Sequence, residues 1–542
     1  MSAQPMPSAY DVPATYRPRG QRTMAMILIM FAVLVVAACA YVACRTFFQV
    51  ISLQWTDWYL AGSSIIAILL LLTEAFVMFQ SLVYARNFYS ALNAKALPRV
   101  VVEDWAAAPT VAILMPARHE PYDVLERTLL CLKNIDYPNK TIYFLDDSSD
   151  NRFLKEAEEL ATTYGIRLFR RDRRHGAKAG IVNDCVSALQ DDYIVIFDAD
   201  QNPTPGFLKD LVPIMLANPR LAFVQTPQFY TNTERSPIVR GANLQHCMFY
   251  EYICEGKGAE NSMILCGTNA IIRRAAFKDV GGLDEGSITE DFATTIDWHS
   301  HGWDSAYSGR VCTFGSGPET LDVYFKQQWR WSRGNLGVFF KVLRTLATRP
   351  TSMTFRQWWE HFGTGSYYAI GICYMILMIC PITQIFWNMP VFHMNGLTYA
   401  VLFLPYYLLS TAIFFASMHR RNYKFGDLLV GVLLGFISFP IYVRSFFGAL
   451  LGVRAAFNIT DKSNRSGVLS YRLFWPQILM WALNFYAFVW GVNRLAVEQT
   501  PQLLVSLFWV FYHFALLSSI FYFRMSGQAR WSERPALQGV GA

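Results

Sequence analysis

Two apolar stretches of membrane length stand near the start of this chain, from about Met24 to Phe47 and from Tyr59 to Val83. A hydrocarbon core roughly 30 Å thick takes about 20 apolar residues per helix, so each can cross a bilayer as a helix. The first is long and the second follows at once, which predicts a two-helix anchor rather than a cleaved leader. Composition agrees: 53% hydrophobic, 15% aromatic and only 16% charged residues exclude an ordinary soluble enzyme of 542 residues. The net charge of +7 comes without a Lys/Arg run or a recognition motif, so nucleic acid is not an expected partner. The ten cysteines form no CxxC pair and no metal spacing with histidine, as suits reduced thiols facing a cytosol.

Between Arg86 and Arg333 the pattern changes to short β-branched runs, among them Val111–Leu114, Thr141–Leu145 and Tyr193–Phe197, separated by helical stretches. This predicts an α/β domain with a mostly parallel sheet. Five further apolar stretches follow, near Ser366–Trp387, Leu397–Met418, Phe425–Leu451, Phe474–Val492 and Leu503–Phe523. The basic links are His419–Lys424, Arg454–Arg472 and the tail from Arg524. All lie on one side if the Phe425–Leu451 stretch, with Asp427, Pro440 and Arg444, is interfacial or re-entrant and the other four cross. The expectation is six crossings with both termini cytosolic. The divisions are a cytosolic tail (1–23), two transmembrane helices (24–85), a cytosolic α/β domain (86–333) and interface helices (334–365). A channel region (366–524) follows, containing an interface helix (425–452) and a loop (454–470), and then a cytosolic tail (525–542).

Three strand ends carry polar groups, Pro116-Ala117-Arg118, Asp146-Asp147 and Asp198-Ala199-Asp200, and ligands bind at that edge of a parallel sheet. Asp198 and Asp200, two residues apart on one face, can hold Mg²⁺ or Mn²⁺ against a diphosphate, although an Asp-x-Asp also serves ordinary turns. One carboxylate of Asp146-Asp147 can accept hydrogen bonds from a nucleobase or ribose; acidic residues also commonly end strands. His175 to Gly180 offers a flexible cationic loop with Lys178 as a point charge for phosphate, or a solvated basic turn continuing Arg170–Arg174. Thr289-Glu290-Asp291 opens a helix predicted from Phe292, either as a cap or with Asp291 as a general base. Gln327-Gln328-Trp329-Arg330-Trp331 sets a cation and flat aromatic faces just before the later apolar stretches.

In this order the motifs resemble the D, DxD, TED and QxxRW set of the processive family-2 glycosyltransferases, the group of cellulose, curdlan, chitin and hyaluronan synthases. Gln225-Thr226-Pro227, Cys266-Gly267-Thr268, Pro318-Glu319-Thr320 and Phe457–Lys462 are similar to further stretches of the bacterial cellulose synthase branch. The resemblance implies an α/β GT-A domain inserted into an α-helical transmembrane channel, inversion at the anomeric carbon, and a bacterial inner-membrane location. It implies Asp146 or Asp147 at the uridine, Lys178 at the diphosphate, and Asp198 with Asp200 at uridine and metal. Asp291, within Thr289-Glu290-Asp291, would be the base, and Gln327 with Arg330 would bind the diphosphate. Trp331 and the Cys266-Gly267-Thr268 turn would meet the acceptor sugar, while Thr460 and Lys462 of the 454–470 loop would close over the nucleotide.

Departures from the cellulose pattern bear on the product. Two N-terminal helices stand where the bacterial cellulose enzyme typically has four. The sequence ends about 20 residues after its last apolar stretch, without room for a C-terminal PilZ barrel, which predicts no direct cyclic-di-GMP control within it. Ser148-Ser149-Asp150 follows the Asp-Asp where Gly-Gly is usual, and Thr289–Thr294 is closer to curdlan-type or mixed-linkage synthases. The expected product is a β-glucan made from UDP-glucose, β-1,3 favoured over β-1,4, with accessory export proteins and membrane lipid as further partners. A chitin- or hyaluronan-type synthase using UDP-N-acetylhexosamine is the alternative, because tolerance of an N-acetyl group is a matter of pocket shape. A non-processive lipid-linked glycosyltransferase and a transporter with a non-catalytic sugar domain are the remaining readings. Glu74 and Gln384, inside apolar stretches, are expected as interhelical hydrogen-bond partners or pore contacts.

Overall fold

A computed structural model describes residues 21–389, 396–421, 423–453, 473–501 and 503–529. Its centre is a seven-stranded sheet ordered β3-β2-β1-β4-β8-β6-β9. These strands are β1 (Val111–Ala117), β2 (Lys140–Asp146), β3 (Arg167–Phe169), β4 (Tyr193–Ile196), β6 (Leu221–Gln225), β8 (Ala270–Arg273) and β9 (Asp304–Tyr307). The pairs β1/β2, β2/β3, β1/β4 and β6/β9 are parallel, and β8 runs antiparallel to its neighbours β4 and β6. A small second sheet joins β5 (Asn202–Pro203), β10 (Thr313–Gly315) and β7 (Phe229–Tyr230).

Side chains alternate across a strand, so a continuous apolar run feeds two cores. Ile113, Met115, Phe144 and Val195 pack with helices Tyr122–Lys133 and Phe207–Ala217 on one face. Ala112, Leu114, Ile194 and Ile196 pack with helix Ala177–Ser187 and Trp298 on the other. Full burial of each such Ile, Leu or Phe contributes about 1.5–3 kcal/mol, which is why β1 is solvent-free from Val111 to Met115.

Helices Gln21–Ser52 and Trp58–Leu92 precede the sheet, the second capped by the Asp57 carboxylate on Leu60 N–H. Among the described residues five helical segments are long and apolar enough to cross a membrane: Met30–Val50, Trp58–Leu92, Phe355–Trp387, Leu397–His419 and Leu503–Arg524. Trp55, Trp58 and Trp387 are exposed near the ends of these segments. The Tyr59 hydroxyl donates to the Trp387 and Asn388 carbonyls (3.0 and 2.9 Å), as fits an interfacial belt.

Two sequence expectations change, and one expected crossing lies outside the five. The Phe425–Leu451 stretch is not one helix but two, Phe425–Phe436 and Phe439–Leu450, bent by 40° where Ile437-Ser438 precede Pro440. The pair qualifies as a span only if taken together. The expected crossing 474–492 is helix Trp475–Glu498, which falls outside the five. The segment 334–365 is not a separate interface unit: helix Leu321–Thr348 runs across its start, and Phe355–Ser366 continues through a 3₁₀ turn into Ile370–Trp387. Glu74 and Gln384 are interhelical partners, Glu74 of Arg45 (3.3 Å) and Gln384 Oε1 of the Ser506 hydroxyl (3.0 Å).

Candidate functional site

The strand order reverses between β1 and β4, and a crevice opens outside their carboxyl ends. Register pairs Ala117 with Asp146 and Leu114 with Ile196, so Arg118, Asp147 and Asp198 emerge at one edge. The two aspartates after β2 then part company. Asp146 is buried, paired with Arg170 (2.8 Å), and accepts from Ser148 N–H. Asp147 faces the crevice, held by Arg171 (2.9 Å) and Arg174 (2.8 Å). The Arg170–Arg174 run is therefore no solvated turn, since three of its arginines are pinned to the aspartate pair.

Nor is the following segment a flexible loop. Gly176 and Ala177 adopt positive φ (55° and 48°) and start helix Ala177–Ser187, and His175 bonds Asp184 and Glu285. Lys178 sits in the first turn, its ammonium on Asp198 Oδ1 and on the Gly267 carbonyl (2.8 Å). Burial opposes its charge, but Asp198 and Glu290 outweigh it and raise the Lys178 pKa. Asp198 is fixed from the other side as well, its N–H donating to the Thr268 hydroxyl (3.0 Å).

The turn Cys266-Gly267-Thr268 is held by Gln225, whose carboxamide accepts from Cys266 N–H (2.9 Å) and donates to the Thr268 carbonyl (2.8 Å). Gly267 has φ +76°, and a Cβ there would lie 3.0 Å from Asp291 Oδ2, so glycine lets backbone and carboxylate approach. Asp291 is in the first turn of helix Glu290–Ser300, two residues ahead of the expected start, and accepts from Phe292 N–H (2.8 Å). Burial first, then the Glu290 charge, push its pKa up to about 7, and burial likewise raises Glu290. Thr289 does not cap this helix with its side chain. Its Oγ1 has no hydrogen-bond partner among the described residues, and the side chain packs on Gly334 of helix Leu321–Thr348.

That helix carries Gln327, Arg330 and Trp331 at spacing i, i+3, i+4, which puts them on one face. All three line the same cavity of about 1400 Å³ as Asp147, Lys178, Asp198, Asp200 and Asp291. The cavity continues past Trp331 to Tyr84, Tyr367, Tyr374 and Phe436, which belong to the membrane-length helices and the bent pair. Thr460 and Lys462 lie outside the described residues. No group of three or more His, Cys, Asp and Glu able to hold a metal occurs among the described residues. Asp198 with Asp200 still fits Mg²⁺ or Mn²⁺, which take one or two carboxylates and complete their shell with phosphate oxygens and water.

Sequence reasoning placed Arg118 at a ligand-binding strand end without giving it a role, and missed Tyr230 and His246. Arg118 lines the cavity, its Nε without a partner among the described residues, and burial followed by the Arg174 charge lowers its pKa. His246, buried in helix Pro237–Met248, lies 5.5 Å from Trp331 between ring centroids. No motif marks Tyr230 or His246; the fold brings His246 to the cavity and Tyr230 against it.

Residues 108–334 match the family described as "Glycosyltransferase like family 2". The chain is 25% identical over 436 residues to a cellulose synthase catalytic subunit [UDP-forming] of Pseudomonas fluorescens, covering 77% of this chain and 56% of that one. It is 26% identical over 544 residues to a putative cellulose synthase of Komagataeibacter xylinus, covering 96% and 34%. The chain thus spans between a third and just over half the length of these two curated relatives. A mannosyltransferase from Pyrobaculum calidifontis, solved with GDP-Man and Mn²⁺, superposes with TM-score 0.47 at 18% identity, over 72% of this chain and 99% of that one.

Proposed function

We propose that the protein is a membrane-embedded, processive, inverting glycosyltransferase with a GT-A domain, because residues 108–334 match the family described as "Glycosyltransferase like family 2" in a chain similar to bacterial cellulose synthase catalytic subunits. It polymerises a β-glucan from UDP-glucose on the cytosolic face of a bacterial inner membrane and passes it into its own helices. The single observation that carries this reading is the continuous cavity, which holds the carboxylates, Lys178, Arg330 and Trp331 and then runs among tyrosines of membrane-length helices. A single-sugar transferase needs no such passage.

In this mechanism Asp147 receives the uridine, and Lys178 and Arg330 with Gln327 receive the diphosphate. Asp198 and Asp200 would hold the divalent cation, which neutralises charge on the departing UDP. The acceptor hydroxyl, presented at Trp331 and the Cys266-Gly267-Thr268 turn, attacks the anomeric carbon from the face opposite UDP. The new O–C1 bond forms as the C1–O–phosphate bond breaks, and the hydroxyl proton passes to Asp291. A carboxylate with a pKa near 7 is matched to that transfer at neutral pH. Lys178 and Arg330 stabilise the charge that grows on the diphosphate, as preorganised cations need little reorganisation to do so. Thr460 and Lys462 would close the donor side. The curdlan-like Thr289–Thr294 stretch favours a β-1,3 product over β-1,4.

The test is incubation of the lipid-reconstituted protein with UDP-glucose or UDP-N-acetylglucosamine and Mg²⁺ or Mn²⁺, following UDP release and digesting the product with linkage-specific glucanases. Asp291→Asn should lower turnover by about 10²–10⁴-fold with UDP binding retained. No polymer from any UDP-sugar, with accessory proteins supplied, sinks the synthase reading.

A further inference from the structure

Trp331 does not stand alone. His246 lies 5.5 Å from it between ring centroids at 32°, and Tyr230 lies 4.3 Å from His246 at 30°, so three rings form a tilted stack leading away from the cavity. The Tyr230 hydroxyl is 2.9 Å from His246 Nε2, and the Gln327 side chain lies beside it, opposing the upward push of burial on its pKa. Tyr230 is 1% exposed and His246 8%, and the Gly317 backbone is so close that a Cβ there would meet the Tyr230 ring at 2.8 Å. Hence one rigid unit touches both the glutamine assigned to the donor diphosphate and the tryptophan assigned to the acceptor.

Imidazole is a costly choice for mere filling. His246 Nδ1 is buried without a hydrogen-bond partner among the described residues, and an orphaned polar atom of this kind destabilises a fold. Phenylalanine would fill the place with no such atom. What imidazole adds is the bond to Tyr230, and burial keeps the ring uncharged by lowering its pKa to about 3. A neutral ring stacks on Trp331 at any working pH. The helix changes to a π-helix at Phe249–Cys254, three residues beyond His246, a distortion that frequently accompanies functional sites.

We infer that His246 is a positioning residue for the acceptor: bonded to Tyr230 and stacked on Trp331, it fixes the angle of the indole on which the terminal sugar rests and couples it to Gln327 on the donor side. This rests on the glycosyltransferase function proposed above.

The experiment uses full-length reconstituted protein, with His246→Ala, His246→Phe, His246→Asn, Trp331→Ala and the double variant His246→Ala/Trp331→Ala. Readouts are UDP affinity, UDP-glucose turnover, the concentration dependence of a short β-glucan oligosaccharide acceptor, and product length. His246→Ala should raise the half-saturating oligosaccharide concentration by about tenfold, the scale of one aromatic pair, and shorten the products. UDP affinity should stay within about twofold, because His246 reaches the donor only through Tyr230. His246→Phe keeps the stack but loses the bond to Tyr230 and should recover only part of the acceptor affinity, whereas His246→Asn, which keeps polarity without the stack, should recover none; full recovery in His246→Phe would remove the Tyr230 bond from the role. In the Trp331→Ala background His246→Ala should add nothing, because its effect acts through that ring. Additive losses, unchanged acceptor dependence in His246→Ala, or equal losses of UDP and acceptor binding would each overturn the inference. If His246→Ala does not fold, the Phe and Asn variants decide by the same readouts. An active wild type with unaffected His246 variants removes this inference alone; a wild type that makes no glycan from any UDP-sugar removes the proposed function and this inference with it.

Discussion

At the scale of single residues, Asp291 shows how a carboxylate becomes useful by being held in an unfavourable place. Burial and the neighbouring Glu290 raise its pKa to about 7, with Lys178 and Arg330 acting in the opposite sense. As the proposed base, Asp291 would work unprotonated, so kcat/KM should fall as pH drops below about 7, and a pH–rate profile from pH 5 to 9 checks this. An acid limb near the ordinary carboxylate pKa of about 4 would mean the site is far more hydrated. The sign for stability is opposite. Between the unfolded pKa of about 4 and 7 the native state binds more protons, so this group makes the fold less stable as pH rises through that window. Gly267→Ala tests the same place sterically. The left-handed φ costs an L-residue about 1–2 kcal/mol, and the new methyl would crowd the Asp291 carboxylate at 3.0 Å. The expected outcome is a modest fall in Tm, a large loss of turnover and near-normal UDP binding. The aspartates, Lys178 and the Gln-x-x-Arg-Trp face were legible because each is a local motif. The division of labour between Asp146 and Asp147 was not, since it depends on Arg170, Arg171 and Arg174 arriving from β3.

At the scale of elements, the site depends on two helices meeting closely: Glu290–Ser300, which carries the proposed base, and Leu321–Thr348, which carries Arg330 and Trp331. Their contact is Thr289 on Gly334, where a Cβ would lie 2.4 Å from Thr289 Cγ2 and 2.7 Å from Oγ1. Ala is favoured over Gly inside a helix by about 1 kcal/mol, yet here the methyl has no room. Gly334→Ala should therefore separate Asp291 from Arg330 and lower turnover at least tenfold, roughly the effect of small misplacements in catalytic geometry. Thr289→Ala removes both crowding atoms, so Gly334→Ala/Thr289→Ala should recover activity and Tm together. Failure of that rescue would show that the contact does not set the spacing. Sequence alone suggested a cap at Thr289, because a threonine before a helical run usually is one; that its hydroxyl goes unused is a consequence of a partner about 45 residues on.

At the scale of the molecule, hydropathy identified the membrane segments better than it ranked them. Helix Trp475–Glu498, expected to cross, buries Gln477 and Asn484, with Gln477 Nε2 donating to the Ile437 carbonyl (2.9 Å). A sequence average charges those partner-facing polar groups against the helix as if lipid met them. The joint between the catalytic domain and the spans was also invisible in sequence, being made of single residues from three distant segments. Lys257, on helix Glu255–Ala259, bonds Glu360 Oε2 (2.8 Å) and the Thr364 hydroxyl (2.7 Å), while Asn87 of helix Trp58–Leu92 donates to the same carboxylate oxygen (2.9 Å). Both charged side chains are almost fully buried, at 2% and 3% exposure. Breaking such a pair leaves an uncompensated buried charge and costs about 3–5 kcal/mol. Lys257→Met should therefore lower the Tm in detergent strongly. Lys257→Met/Glu360→Gln, which leaves no net charge unpaired, should recover most of that loss, because Asn87 can still donate to the uncharged carboxamide that replaces the carboxylate. If the pair only supports the joint, UDP binding by the folded fraction will be normal in both variants while polymer length falls, since on the proposed route the acceptor would pass from Trp331 into helices that the joint aligns. Equal stability of the single and double variants would show that water already reaches the pair and that the domain is seated on its helices by apolar packing alone.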